Sequence, residues 1–139
     1  ELAHEVPKGM NETQWLSQSL TRLRNWARTR NVTVFLVAHP KTMDGKRKED
    51  GSYPVVTPYD ISGGAKWYNA GDTIISIWRD YREDSRAPVE FHVQKVRNRR
   101  AGEIGKRDLY WSHKTGCYYG TEFERKEGET AAYRRIEAI

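Results

Sequence analysis

Val32-Thr-Val-Phe-Leu-Val-Ala-His-Pro-Lys41 is the stretch on which the reading of the fold turns. Residues 32–38 form a continuous apolar run rich in β-branched side chains. Such a run reads as a strand buried on both faces, as in a parallel sheet. A polar residue, His39, then stands at its carboxyl end, where open α/β sheets place their ligands. Upstream, Asn11 can cap a helix, with Gln14 three residues on. The segment 12–29 carries Leu16, Leu20, Leu23 and Ala27 on one face at helical spacing. Arg22, Arg24, Arg28 and Arg30 crowd its later half, near the negative helix end. A helix followed by a buried strand is half of an α/β unit, so the fold class is α/β.

Downstream, residues 40–60 read as a long polar loop, functional or mobile at that length. A short helix over roughly 64–70 follows Gly63-Gly64, and Asp72–Arg79 reads as a second buried strand. A charged turn spans Asp80 to Pro88. Val89, Phe91 and Val93 alternate with Glu90, His92 and Gln94, which gives a half-buried strand and a hairpin. Arg97 to Gly105 is a basic turn, and Asp108–Trp111 with Cys117–Tyr119 makes a further hairpin around Lys114-Thr-Gly116. The last twenty residues are highly charged: either a frayed tail or a short helix over 129–138.

The bulk properties exclude several classes. The chain has 139 residues, enough for one domain with a core, and its apolar content of 37% is offset by 12% aromatics with large buried area each. One cysteine, Cys117, cannot form an internal disulfide, and the four scattered histidines make no zinc ladder. No apolar run reaches membrane-spanning length. No signal peptide is visible and the first residue is not Met, so a cytoplasmic piece of a longer or processed protein is the expectation. A net charge of +5 suits an anionic partner as well as it suits an ordinary basic surface.

Four places can carry chemistry. His39, taken alone, reads first as a loop histidine satisfied by nearby backbone. The loop Lys41 to Lys48 holds Lys46 and Arg47 among glycines; it suits phosphate contact by a mobile segment, although ordinary solvated loops look the same. Lys95-Val-Arg-Asn-Arg-Arg100 packs four cations into six residues ahead of Gly102 and Gly105, and a guanidinium fork on a tight turn binds phosphate oxygens. Here use outweighs mere solubility, since a solubilising patch mixes signs. Asp60-Ile-Ser-Gly-Gly-Ala-Lys66 brings small residues to a helix start, either an anion site or a plain junction. There is no GxxxxGK[ST], GxSxG or HExxH, and no self-contained active site can be assembled.

The order of these features resembles the later half of the motor domain of DnaB-type hexameric helicases, most of all the Twinkle-like and phage primase-helicases. The resemblance runs from about Asn11 to Tyr119. It rests on three separated motifs: the strand ending His39-Pro-Lys41, the Gly63-Gly-Ala-Lys66 helix start before Asp72-Thr-Ile-Ile75, and Arg97-Asn-Arg-Arg-Ala-Gly-Glu-Ile-Gly105. It implies a partial RecA-like P-loop NTPase core, mostly a parallel sheet continued by antiparallel hairpins. Residues 1–120 would be this half-domain and 121–139 a charged carboxyl-terminal tail. By the same resemblance His39 senses the terminal phosphate. Lys46, Arg47, Lys48, Ser62, Gly63, Gly64 and Lys66 face single-stranded DNA. Arg97 and Arg99 reach a neighbouring subunit's ATP, with Arg99 as the arginine finger; Arg97 stands where Lys is more usual. The phosphate loop, catalytic Glu and magnesium-binding Asp are expected upstream of Glu1. The parent would thus be an ATP- and Mg2+-dependent ring helicase of DNA replication, self-associating as a hexamer with no membrane partner. This stretch alone would be inactive and hold no nucleotide tightly. Two other readings stand beside it. One is a non-catalytic single-strand-binding module using the basic loops and some of the five tryptophans; the other is a recombinase- or clock-type RecA relative.

Overall fold

The computed structural model describes residues 6–41, 43, 47–80 and 87–137, with side chains as far as Thr130. The first helix, α1 (Glu12–Arg30), begins where the sequence places it. The Asn11 side chain accepts from the Gln14 N–H at 2.8 Å, and the Gln14 side chain reaches back to Asn11, a reciprocal capping box. The helix ends at Asn31, in the left-handed conformation with φ 51°, which Asn tolerates better than most residues. Leu16 and Leu20 are buried and Leu23 and Ala27 half-buried, so the apolar stripe faces inward.

That stripe meets α2 (Gly64–Ala70). Gly63 has φ 78°, and a Cβ there would lie 2.6 Å from Leu16 Cδ2. A Cβ on Gly64 would lie 2.6 Å from the Tyr59 backbone. Both glycines are therefore dictated by packing, one against α1 and one against the 3-10 turn Pro58–Asp60. Asp60 caps that turn, accepting from the N–H and the hydroxyl of Thr57, each at 2.8 Å.

Four strands follow: β1 (Thr73–Trp78), β2 (Val89–Val96), β3 (Gly105–Ser112) and β4 (Cys117–Tyr119). They form one sheet in the order β1-β2-β3-β4, every neighbour antiparallel, with a bulge between Ile74 and Ile75. The sequence reading expected a mostly parallel sheet; among the described residues the sheet is antiparallel throughout. The 40–60 loop also has more structure than expected. Ser76 and Gln94 both donate to the Val56 carbonyl, at 2.6 and 2.7 Å, and the Trp78 indole donates to that of Tyr53 at 3.2 Å. Residues 53–60 thus form a strap across one face of the sheet.

The expected strand over 32–38 is absent. The stretch makes no ladder, and Phe35 and Val37 are 85% and 84% exposed. A strand buried on both faces needs neighbours on both edges and layers above and below. None of the described residues supplies them; the stretch is tied at its start by the Val32 N–H, which donates to the Ala27 carbonyl at 3.0 Å, and just beyond its end by the Lys41 N–H, which donates to the Asp60 carbonyl at 2.8 Å. Ile75 and Ile77 of β1 are likewise exposed, and among the described residues the buried aliphatic side chains are Leu16, Leu20 and Val89, with Pro58 of the 3-10 turn. The accessible surface is 11048 Å², against roughly 7,400 Å² for a compact monomer of this mass.

The carboxyl-terminal residues, read as a frayed tail or a helix over 129–138, form a sixteen-residue helix, α3 (Glu122–Glu137). Its start is capped by Thr121 and Glu124, whose side chains each accept the other's N–H at 3.1 Å. A Cβ on Gly128 would lie 2.4 Å from Tyr119 Oη, so α3 lies close on β4. Ser112, wholly buried, donates to Glu129 Oε1 at 2.7 Å. That bond, with Arg125 2.7 Å away, outweighs burial and holds the Glu129 carboxyl below the usual carboxylate range.

Candidate nucleotide- and strand-facing surface

Arg97 follows β2 and turns back toward α2. Its Nε lies 2.8 Å from Asp72 Oδ1, and its backbone N–H donates to the Asp72 carbonyl at 2.8 Å. Its Nη2 donates to the carbonyls of Asn69 and Gly71, at the carboxyl end of α2. Lys95 donates to the Tyr68 carbonyl and lies 4.5 Å from the centre of the Tyr68 ring. Arg24 of α1 adds a third cation, 3.2 Å from Asp72 Oδ1. The negative end of α2 and one carboxylate thus hold three cations from two other elements. Burial, and after it the neighbouring Arg97, push the Lys95 ammonium below its ordinary value.

Arg99 and Arg100 differ from Arg97. Both are exposed on the turn 97–104, and no described residue engages either guanidinium. The turn itself is closed locally, the Ala101 N–H donating to the Asn98 carbonyl at 2.8 Å. The result is a fixed base at Arg97 with two free guanidinium groups just beyond it.

The opposite end of α2 carries the residues expected to face DNA. Ser62 is exposed, and its carbonyl accepts from the Trp67 indole at 2.8 Å. Gly63, Gly64 and Lys66 are half-buried. The Gly64 N–H donates to Ile61, so it is already satisfied. A helix of seven residues separates this end from Arg97 by roughly 10 Å of rise. Of the basic loop, Lys46 lies outside the described residues. Arg47 folds onto its own loop, donating to Gly51 and to the Tyr53 hydroxyl at 2.6 Å, with its guanidinium 4.3 Å from that ring's centre. Lys48 is exposed. His39 is exposed too, two residues before the Lys41 bond to Asp60.

Asp72, the anchor of the cluster, has no role in the reading from sequence. Its place just after the α2 end was visible; its pairing with Arg24 and Arg97, across 48 and 25 residues, was not. On the sheet, Glu90 joins His92 at 2.7 Å and Lys106 at 2.6 Å. Burial works to raise the Glu90 carboxyl, but hydrogen bonds from Lys106 and His92 prevail and keep it below its ordinary value. No group of three or more His, Cys, Asp or Glu among the described residues could hold a metal. No helix there is long and apolar enough to cross a membrane.

No protein-family model matches the chain. It is 36% identical over 121 residues to the Twinkle homolog protein, chloroplastic/mitochondrial, of Arabidopsis thaliana. The match takes in 85% of this chain and 16% of that protein, so the chain spans about a sixth of its relative's length. Among solved structures it is similar to the ATPase domain of G40P, with a TM-score of 0.64 at 21% identity, over 84% of this chain and 40% of that one. The likeness bears out an α/β fold of the RecA-like kind.

Proposed function

Since the chain is a relative of the DnaB-type helicases, we propose that it forms the strand- and neighbour-facing part of their ATP-driven motor. The observation that carries this is the anchored arginine: Arg97 is fixed to Asp72 and the α2 carbonyls while Arg99 projects free beside it. A finger needs such a base. Phosphoryl transfer is catalysed mainly by positioning and charge, and a guanidinium fork must arrive at a fixed place to stabilise spreading phosphate charge. In this reading Arg99 stabilises the terminal phosphate of a nucleotide bound by the neighbouring subunit. Arg97 orients the turn, and His39 contacts the same phosphate from its own subunit.

The α2 helix links that chemistry to DNA. Ser62, Gly63, Gly64 and Lys66 at its start, with Lys46, Arg47 and Lys48 of the basic loop, would track the single strand's backbone. Displacing the helix start moves the carbonyls that hold Lys95 and Arg97. Strand contact and arginine placement then become one mechanical event, which suits an assembly whose hydrolysis depends on DNA and on a ring, here proposed as hexameric. In this reading the phosphate loop, the Mg2+ ligands and the catalytic base are supplied by other parts of the intact protein. Residues 1–120 make up the proposed motor segment, and α3 is an appended clasp.

The test is Arg99→Ala in the full-length protein that carries this segment. Strand-stimulated ATP hydrolysis should fall by about 10³ or more, the scale of a lost arginine finger, with the folded state intact. A variant that hydrolyses ATP normally would sink the assignment.

A further inference from the structure

We propose that the cleft between the 3-10 turn and the basic turn is a nucleobase site, with the base stacked against Tyr59. The idea deepens the strand-facing reading above and rests on it for the favoured source of the base, a single strand. The cleft has a volume of about 540 Å³, within the range of ordinary ligand sites. Tyr59, Tyr68, Val93 of β2 and Ile104 at the end of the basic turn are among its lining residues, with His92 and Gln94 as polar ones and half-exposed Lys106 at the rim. The two tyrosines stack with centroids 5.6 Å apart and planes 25° from parallel. Tyr59 nevertheless remains 61% exposed and Ile104 67% exposed. Two such apolar groups at one notch are costly to leave bare and offer a flat ring a place to insert.

Three features favour a base over another apolar ligand. The Lys95 ammonium lies against the Tyr68 ring, so the stack already carries a cation beside it. The cleft adjoins the residues 62–66, because the Tyr59 backbone abuts Gly64 and leaves no room for a side chain there. The rim lysine is neutralised: Lys106 lies 2.6 Å from Glu90 and 3.2 Å from Asp108. A site that recognised phosphate would keep such a cation free. Here the ring supplies the recognition, and phosphate contact falls to the exposed cations nearby. Aromatic stacking accepts every base, as a motor moving along any sequence requires.

The experiment measures binding of a labelled thymidine oligonucleotide, and of the same strand with abasic residues, to the full-length protein that carries this segment. The wild type should prefer the intact strand by about tenfold, the scale of one base–aromatic stack. Tyr59→Ala should lose that preference without changing the salt dependence. Tyr59→Leu, which keeps apolar bulk against Tyr68, guards against a folding artefact and should lose it equally, while Tyr59→Phe should keep it. A second arm compares ATP with ribose triphosphate. If the Tyr59 variants lose a preference for the base only in that arm, the site stands and its base comes from a free nucleotide. Strand binding with an abasic preference untouched by Tyr59→Ala and Tyr59→Leu, or with no such preference, overturns the cleft and leaves the strand reading in place. Binding of neither strand nor nucleotide overturns both.

Discussion

The two basic segments look alike in sequence and differ in what holds them. In the 47–51 loop, Arg47 turns onto Gly51 and Tyr53, four and six residues away. In the 97–104 turn, Arg97 reaches Asn69 and Gly71, twenty-eight and twenty-six residues away, and Asp72 beside them. The loop is tied to itself, and the turn is tied to α2 and through Asp72 to α1. Cation density therefore does not separate a solvated loop from a built site; the range of the anchor does. A locally held cation can meet a flexible anion, whereas one held from another element can be delivered to a fixed place.

That contrast can be broken by substitution. The largest expected effect is the loss of about three orders of magnitude in hydrolysis for Arg99→Ala. Arg47→Ala, at the locally tied segment, should leave hydrolysis at saturating strand nearly unchanged; an equal loss in both variants would erase the distinction. Next comes Gly63→Ala. The residue would carry a Cβ at φ 78° and 2.6 Å from Leu16, so strain and overpacking together should lower stability by about 2–4 kcal/mol. Denaturant unfolding measures this, and an unchanged midpoint would show that Gly63 is kept for strand contact alone.

The clasp gives a smaller effect. Glu129→Ala leaves the buried Ser112 hydroxyl without its acceptor and should cost about 1–3 kcal/mol. The pH dependence follows from the same carboxyl. Its folded pKa is depressed, so its contribution is complete above the unfolded value, about 4.3, and is lost as pH falls through the folded one. Thermal unfolding followed from pH 7 downward should decline in acid, and less steeply in Glu129→Gln. The smallest effect is on salt dependence. Neutralising Lys46, Arg47 and Lys48 should reduce the slope of log affinity against log salt by up to about 2, near 0.7 for each lost phosphate contact on a single strand. A slope unchanged by all three would remove the loop from the strand path.

Much of this was legible in the residues. Asn11 and Gln14 announced α1, and the alternation through Val89, Phe91 and Val93 announced β2. The His39, Gly63-Gly64 and Arg97-Arg99 motifs carried the resemblance to the DnaB-type helicases, because each is a local pattern and they follow one another in the right order. The 32–38 run was misread as a strand in place because apolar periodicity reports what a segment can bury, not whether neighbours are there to cover it. Asp72 and Tyr59 were missed for a related reason: an ion pair across 25 residues and a stack of two rings depend on tertiary approach, which no local pattern encodes. The α3 start was legible too. Thr121 and Glu124 have the spacing of a capping box, although the last twenty residues offer little apolar periodicity to mark a helix.

The most direct test of the account is Asp72→Asn in the full-length protein, scored by the ratio of ATP hydrolysis with strand to that without it, beside thermal unfolding. Asp72 is 55% exposed and its partners Arg24 and Arg97 are 27% and 39% exposed, so breaking both pairs should change stability by less than about 2 kcal/mol. The ratio should collapse toward one while unfolding moves little and strand affinity is kept, with Asp72→Glu restoring part of the ratio. A wild-type ratio in Asp72→Asn would contradict this, because the carboxylate would then have no part in fixing Arg97 beneath Arg99.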